Sequence, residues 1–292
     1  MTWFLDLRAL PQGGGVADEV QIFQQANRRS ADDLLAAVAG QDVLFVTHGF
    51  NVDRAQGRQA LGNWESWQSL PPSVVYIGVL WPGDSVWLPG IDYAIEGNEA
   101  IATGDHLADF ILDKFQIATS LNFASHSLGA RVVLQTIQKI AESGRRHPPI
   151  RRLLLMAGAI DDTCLSGEYA RAAQAVADIS VLASYHDAVL ALAFPLGNLA
   201  AGVFTRGCPY WHAALGREGP PSTLGGKVSA GWQIPNPWDY GHGDYLPQQP
   251  PAVAALRCPQ CVPPLTTPAP TNWTFAEWRA AWSAAILSTR YR

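Results

Sequence analysis

Short apolar runs rich in β-branched and aromatic residues alternate along the chain with longer stretches of helical period. This alternation is typical of a mostly parallel sheet with helices on both faces, and it predicts one α/β unit around a sheet of about eight strands. The predicted strands cover residues 2–7, 20–23, 42–47, 73–81, 121–125, 152–158 and 179–184, with a weaker eighth at 227–233. The predicted helices cover residues 31–39, 53–69, 96–114, 128–143, 167–177 and 189–199.

The composition changes after Leu246, where the chain becomes rich in proline and loses its periodicity. Such a stretch indicates an extended segment or linker. Large apolar residues then recur at helical spacing over 275–286, so a final amphipathic helix is expected to pack back on the body. We therefore assign residues 1–246 to the α/β domain and residues 247–292 to a Pro-rich C-terminal extension on the same domain.

Charge and hydropathy limit the function. The net charge of −5 comes without a Lys/Arg-rich stripe, which argues against a nucleic-acid surface. The apolar stretch within the first fifteen residues contains charged side chains, so we do not expect a secretion signal. We therefore expect a cytoplasmic location. The longest uncharged run is broken by Pro195 and Gly197, which makes it a poor membrane span.

Cys258 and Cys261 stand in the sequence "CPQC", the spacing of a redox pair or half of a metal site. No second Cys/His pair lies nearby to complete a zinc site, so two inert thiols are the favoured interpretation and a local disulfide stays open.

The sequence "ASHSLGA", at residues 124–130, lies between an apolar run and a stretch of helical period. A nucleophile elbow needs this strand, turn and helix, with small residues on both sides of the serine. Ser127 is the candidate nucleophile, Gly129 follows it at the usual distance, and Ser125 replaces the usual first glycine. An ordinary strand-turn-helix would give the same weak pattern.

The sequence "VLFVTHGFN" ends a predicted strand in His48 and Gly49. In serine hydrolases of this architecture, such a loop offers a backbone N–H that meets the N–H of the residue after the nucleophile. The candidate oxyanion-hole amides are therefore those of Phe50 and Leu128. His48 would support the loop, either as part of the site or by tying down the strand end.

A serine nucleophile needs a general base, and the base needs an orienting carboxylate. Asp187 follows the strand predicted at 179–184, and His242 lies between two glycines after the last predicted strand. The order Ser127, Asp187, His242 is the order found in this class of enzyme.

Other assignments remain open. Asp161, which also follows a predicted strand, is the alternative acid. His126, His186 and His212 are the other candidate imidazoles. The turn at the nucleophile should point the His126 side chain away, and His186 should project to the opposite face of its strand. No His pair at helical spacing or facial triad is present, so no metal is expected.

Five stretches, "VTHGFN", "WPGD", "SHSLGARVV", "SYHDAVL" and "GHGDYL", follow one another within residues 42–246. In this order they resemble the α/β-hydrolase superfamily and, within it, the bacterial hydrolases described as domain-of-unknown-function 900 proteins. The resemblance implies the α/β-hydrolase fold and an ester-directed serine hydrolase with Ser127, Asp187 and His242 in the catalytic roles. A reaction through these three residues needs no cofactor, so none is expected. The extension lies outside it.

The expected partner is a small ester or acyl substrate. The uncharged stretch 188–204, with Trp81, Trp87 and Trp211, would suit an apolar acyl pocket or would simply fill the core. Two other functions remain open: a non-catalytic binding protein on the same fold, and an acyltransferase or thioesterase that uses the same triad. The substrate and the oligomeric state are unknown from the sequence.

Overall fold

The computed structural model of the 292-residue chain describes residues 2–68, 70–84, 91–192, 213–221, 228–234 and 240–245. The predicted extension at 247–292 lies outside these residues, together with Cys258, Cys261 and the terminal helix. The division of the chain after residue 246 therefore stays a prediction.

The strands form one mostly parallel sheet in the order β3-β2-β1-β5-β4-β6-β7-β8-β9. Only the edge pairs β1–β2 and β2–β3 are antiparallel among the described pairings. The strands are β1 (Trp3–Arg8), β2 (Val16–Gln24), β3 (Asn27–Arg28), β4 (Asp42–Thr47), β5 (Val74–Leu80), β6 (Ser120–His126), β7 (Ile150–Met156), β8 (Asp178–Ala183) and β9 (Val228–Gln233).

The prediction of a mostly parallel sheet of about eight strands is confirmed, and each predicted strand is present within a few residues. The additional strand is β3, an exposed two-residue segment that pairs with the end of β2. Two polar residues carry no period, so hydrophobic patterning could not predict it.

The helices are α1 (Ala31–Val38), α2 (Arg54–Trp67), α3 (Ile91–Lys114), α4 (Gly129–Glu142) and α5 (Ala170–Ala175), then α6, of which residues 188–192 are described, and α7 (Leu215–Glu218). Capping boxes start α1 at Ser30 and α2 at Asp53. Helix α3 begins earlier than predicted, directly after Pro89 and Gly90, because no helix breaker interrupts the residues between Ile91 and Glu96.

Apolar side chains cover both faces of the sheet. Side chains alternate between the two faces along β4. Phe45 therefore packs with Phe123 in the core on one face, whereas Leu44 belongs to the core on the other face, together with Trp64. The rings of Phe45 and Phe123 stack with centroids 5.3 Å apart. Leu61, Trp64 and Trp67 form one buried face of α2. On this face, the Trp64 ring packs against Tyr76 of β5. Cores on both faces explain why the central strands read as continuous apolar runs.

The sheet brings several loops to one edge. Because β4, β5, β6, β8 and β9 run in parallel, the residues that follow them all emerge at the carboxyl edge of the sheet. Among the described residues, no helix is both long and apolar enough to cross a membrane.

Candidate active site

Ser127 lies in a sharp turn between β6 and α4. Its φ of +53° is in the left-handed region, which costs a residue with a side chain about 1–2 kcal/mol. The turn is held from both sides, because the Ser127 N–H donates to the Met156 carbonyl at 3.0 Å and the Ser127 carbonyl accepts from the Ala159 N–H at 3.1 Å. Both partners belong to the end of β7 and the loop after it, so the neighbouring strand supports the strained backbone.

Two glycines allow the chain to come close to this turn. A Cβ on Gly129 would lie 2.4 Å from the His48 carbonyl oxygen, and a Cβ on Gly49 would lie 2.8 Å from the Cβ of Ser127. The loop after β4 and the turn at Ser127 are therefore in direct contact. Ser125 is fully buried, which shows that a small side chain fits where the usual motif has its first glycine.

His242 lies between the serine and an acid. Its Nε2 is 2.8 Å from the Ser127 Oγ, and its Nδ1 is 2.7 Å from Oδ2 of Asp187. A carboxylate oxygen can only accept a hydrogen bond, so the proton of the neutral ring is on Nδ1 and the Nε2 lone pair faces the hydroxyl. The structure thus brings Ser127, His242 and Asp187 into one hydrogen-bonded chain.

Asp187 is fully buried at the start of α6. Its Oδ1 accepts from the Leu190 N–H at 2.9 Å, as the side chain of a helix N-cap does, and this leaves Oδ2 for His242. Capping therefore fixes the carboxylate with one oxygen facing the imidazole.

The alternative acid, Asp161, has other partners. Its Oδ1 accepts from the Thr163 N–H at 2.8 Å and from the Thr163 hydroxyl at 2.6 Å. The structure does not bring this carboxylate into contact with His242. His186 is exposed, whereas His212 lies outside the described residues.

His48 does not contact the Ser127 hydroxyl but holds the loop that leads to Phe50. Its Nδ1–H donates to the Gly49 carbonyl at 2.8 Å, and its Nε2 accepts from the Trp81 N–H at 3.3 Å. The Trp81 indole N–H donates back to the His48 carbonyl at 2.9 Å, with the two rings stacked. Burial lowers the pKa of His48 to about 4, so the ring is neutral near pH 7.

The sequence "WPGD" after β5 holds the same loop. The Gly83 carbonyl accepts from the Asn51 and Val52 N–H groups, while the buried Arg8 side chain pairs with Asp84 and donates to the Trp81 carbonyl at 2.7 Å. Of the tryptophans considered for an acyl pocket, Trp81 is thus a buried support, and Trp87 and Trp211 lie outside the described residues.

The two candidate amides belong to the two segments that meet at Gly49 and Ser127. Phe50 follows Gly49, and Leu128 is the N-cap residue of α4, where the helix N-terminus carries partial positive charge. Within the described part of the chain, neither the Phe50 nor the Leu128 N–H donates a hydrogen bond.

His126 lies closer to the site than its predicted orientation allowed. Its Nε2 is 2.6 Å from the His242 carbonyl oxygen, and the centroids of the two imidazole rings are 4.9 Å apart. The prediction that the side chain points away from the site is wrong, because the turn that carries His242 packs over the end of β6. A second tether holds the same turn, since the Ser184 hydroxyl donates to the Tyr240 carbonyl at 2.6 Å.

Across the described residues, no group of three or more His, Cys, Asp or Glu side chains has the arrangement of a metal site.

The sheet and its loops place the protein in the α/β-hydrolase class. A family model described as an alpha/beta hydrolase of unknown function, DUF900, matches residues 24–200, well over half of the chain. The chain belongs to this family, as its sequence resemblance predicted. No curated protein matches it in sequence.

Several solved structures are similar to parts of the chain. The RedJ thioesterase of the prodiginine pathway in Streptomyces coelicolor is 18% identical, with 42% of this chain and 41% of that chain covered and a TM-score of 0.29. An inhibited esterase B from Lactobacillus rhamnosis is 14% identical, with 70% and 72% covered and a TM-score of 0.33. Phospholipase PlaB from Legionella pneumophila is 12% identical, with 51% and 41% covered and a TM-score of 0.27. In these alignments the chain spans less than half of the thioesterase and phospholipase chains, whereas it covers 82% of the chain in a second RedJ structure.

The conformational strain of the left-handed backbone at Ser127 can be tested by a substitution with glycine, which relieves it. We expect Ser127→Gly to unfold with a free energy roughly 1 kcal/mol higher than Ser127→Ala, because both lack the hydroxyl but only glycine adopts positive φ freely. Urea denaturation of the two variants measures the difference. Equal or reversed stabilities would contradict a strained turn.

The neutral His48 predicts a loss of stability in acid. Its ordinary pKa is 6.5 and its folded pKa is about 4, so unfolding takes up a proton between these values and stability falls as the pH falls through this window. His48→Asn should reduce the slope of unfolding free energy against pH there by up to about 1.4 kcal/mol per pH unit. Parallel curves for the variant and the wild type would be inconsistent with a depressed pKa.

Proposed function

We propose that the protein is a serine hydrolase that cleaves carboxylic esters through an acyl-enzyme intermediate, with Ser127 as nucleophile, His242 as general base and Asp187 as the orienting acid. The observation that carries the proposal is the single imidazole with a hydroxyl 2.8 Å from Nε2 and a carboxylate 2.7 Å from Nδ1. Such a chain is the arrangement that activates an otherwise weak alcohol nucleophile.

The proposed reaction begins when the Ser127 Oγ attacks the ester carbonyl carbon and its proton passes to His242 Nε2. The resulting oxyanion accepts hydrogen bonds from the Phe50 and Leu128 amides. Asp187 stabilises the imidazolium and keeps the ring in place. His242 then protonates the departing alkoxide, which leaves as an alcohol, and the acyl group stays on Ser127.

In the second half of the proposed reaction, His242 removes a proton from a water molecule that attacks the carbonyl carbon of the acyl group on Ser127. The carboxylic acid leaves, and the proton returns through His242 to the Ser127 oxygen. The reaction needs no cofactor, because the protein supplies the nucleophile, the base and the oxyanion donors. An alcohol or amine in place of water would make the same site an acyltransferase.

An apolar substrate fits the surroundings of the site best. Large apolar side chains are exposed in the loop after β4 and beside the acid, namely Phe50 at 39%, Tyr185 at 45% and Val189 at 48%. Apolar surface at the carboxyl edge of the sheet would take the hydrocarbon part of an ester. We therefore propose that p-nitrophenyl esters with apolar acyl chains are turned over faster than the acetate.

A fluorophosphonate probe tests the nucleophile. We expect covalent labelling of the wild-type protein at Ser127 and none in Ser127→Ala, because the probe reacts with activated serines. Mass spectrometry of the labelled peptide locates the adduct, and circular dichroism controls for folding. A well-folded wild type that is not labelled would overturn the proposal and favour a non-catalytic binding protein.

The two candidate acids give a matched pair of variants. Asp187→Asn should lower p-nitrophenyl ester turnover by about 10³–10⁴-fold, because an amide at this place donates to Nδ1 and leaves Nε2 protonated. Asp161→Asn should stay within about threefold of the wild type, since that carboxylate bonds to Thr163. The reverse result would assign the acid role to Asp161.

A further inference from the structure

We propose that His126 is a positioning residue of the active site, where its neutral imidazole holds the main chain of His242 against the turn at Ser127. The inference rests on the proposed function, since it concerns the geometry of the base. His126 is the last residue of β6 and directly precedes Ser127 in the chain, so the same strand end carries the nucleophile and the support of its base.

The hydrogen bond to His242 has a defined direction. A backbone carbonyl can only accept, so His126 Nε2 carries the proton and donates it to the His242 carbonyl at 2.6 Å. Its Nδ1 is then the unprotonated nitrogen, and it faces Gly49, where an added Cβ would lie 3.0 Å from it. One ring therefore lies between the His242 turn, the loop after β4 and the turn at Ser127.

The neutral state of His126 matters because of the ring beside it. His242 becomes a cation during each proposed half-reaction, and its ring is 4.9 Å from that of His126. Burial and the neighbouring His242 lower the pKa of His126 to about 3. His126 thus supports the base without adding a second positive charge that would oppose protonation of His242.

The turn that carries His242 needs such support. Glycines flank His242 on both sides, and glycine restricts the backbone least. Inside the turn, the Gly241 N–H donates to Asp244 at 2.7 Å, and Ser184 holds the preceding Tyr240 carbonyl at 2.6 Å. His126 is the described side chain that bonds to the backbone of His242 itself.

A small displacement of His242 should reduce the rate of the chemical step more than it reduces binding. A shift of about 1 Å at a reacting group can cost about 100-fold in rate. We therefore expect His126→Phe, which keeps a ring but loses the donor, to lower kcat for a p-nitrophenyl ester by about 10–100-fold, with KM within about threefold of the wild type.

The rescue variant separates the hydrogen bond from packing. His126→Gln places an amide N–H₂ near the position of Nε2, so we expect it to keep kcat within about fivefold of the wild type. His147→Phe is the matched control, because His147 is a partly buried histidine in the loop before β7, at the opposite edge of the sheet, and this variant should keep the wild-type kcat.

Hydrogen–deuterium exchange provides a readout that does not need turnover. The peptide containing residues 240–245 should exchange faster in His126→Phe than in the wild type and at the wild-type rate in His126→Gln. A wild-type kcat and exchange rate in His126→Phe would overturn the inference, and so would equal losses in the Phe and Gln variants. If the wild type has no esterase or labelling activity, the proposed function fails, whereas the exchange rates still decide whether His126 holds the turn.

Discussion

The hydrogen bonds of the His242 ring impose the constraint on which the rest of the site depends. The imidazole meets Ser127 at 2.8 Å and Asp187 at 2.7 Å, yet these residues follow different strands. With about 4.8 Å between neighbouring strands, β6 and β9 are about 14 Å apart across β7 and β8. The His242 turn must therefore fold back over the carboxyl edge of the sheet, and the bonds donated by Ser184 and His126 hold it there.

The loop after β4, which reaches the turn at Ser127, is held by neutral side chains whose polar atoms are hydrogen-bonded. His48 and Trp81 satisfy each other's polar atoms in the core, and burial keeps His48 uncharged. A buried ion pair between Arg8 and Asp84 ties the loop after β5 to the end of β1. Buried donors and acceptors that find partners fix a loop in one conformation, because breaking any of these bonds leaves a polar group unsatisfied. Among the described residues, the amides of Phe50 and Leu128 donate no hydrogen bond.

Patterning predicted the fold well and the site less completely. Every predicted strand lies in the sheet. The central strands were the clearest in the sequence, because a strand buried on both faces needs a continuous apolar run. The order Ser127, Asp187, His242 selected the residues that come together. The contact of His126 with the His242 turn was not predicted, because its partner is a backbone carbonyl 116 positions away along the chain. No local spacing of residues encodes such a contact. For Trp81 the sequence left open a pocket wall or a core position, and its bond to His48 decided for the core.

The sequence by itself determined the α/β class, the family and the candidate nucleophile, base and acid, because hydrophobic period and motif order are local or sequential properties. Only the tertiary structure decided that Asp187 rather than Asp161 contacts His242, that His48 holds its loop through Trp81, and that His126 touches the base. The physical reason is that these choices depend on distances of a few ångströms between chain segments far apart in sequence. Those distances are set by how the loops pack at the carboxyl edge of the sheet.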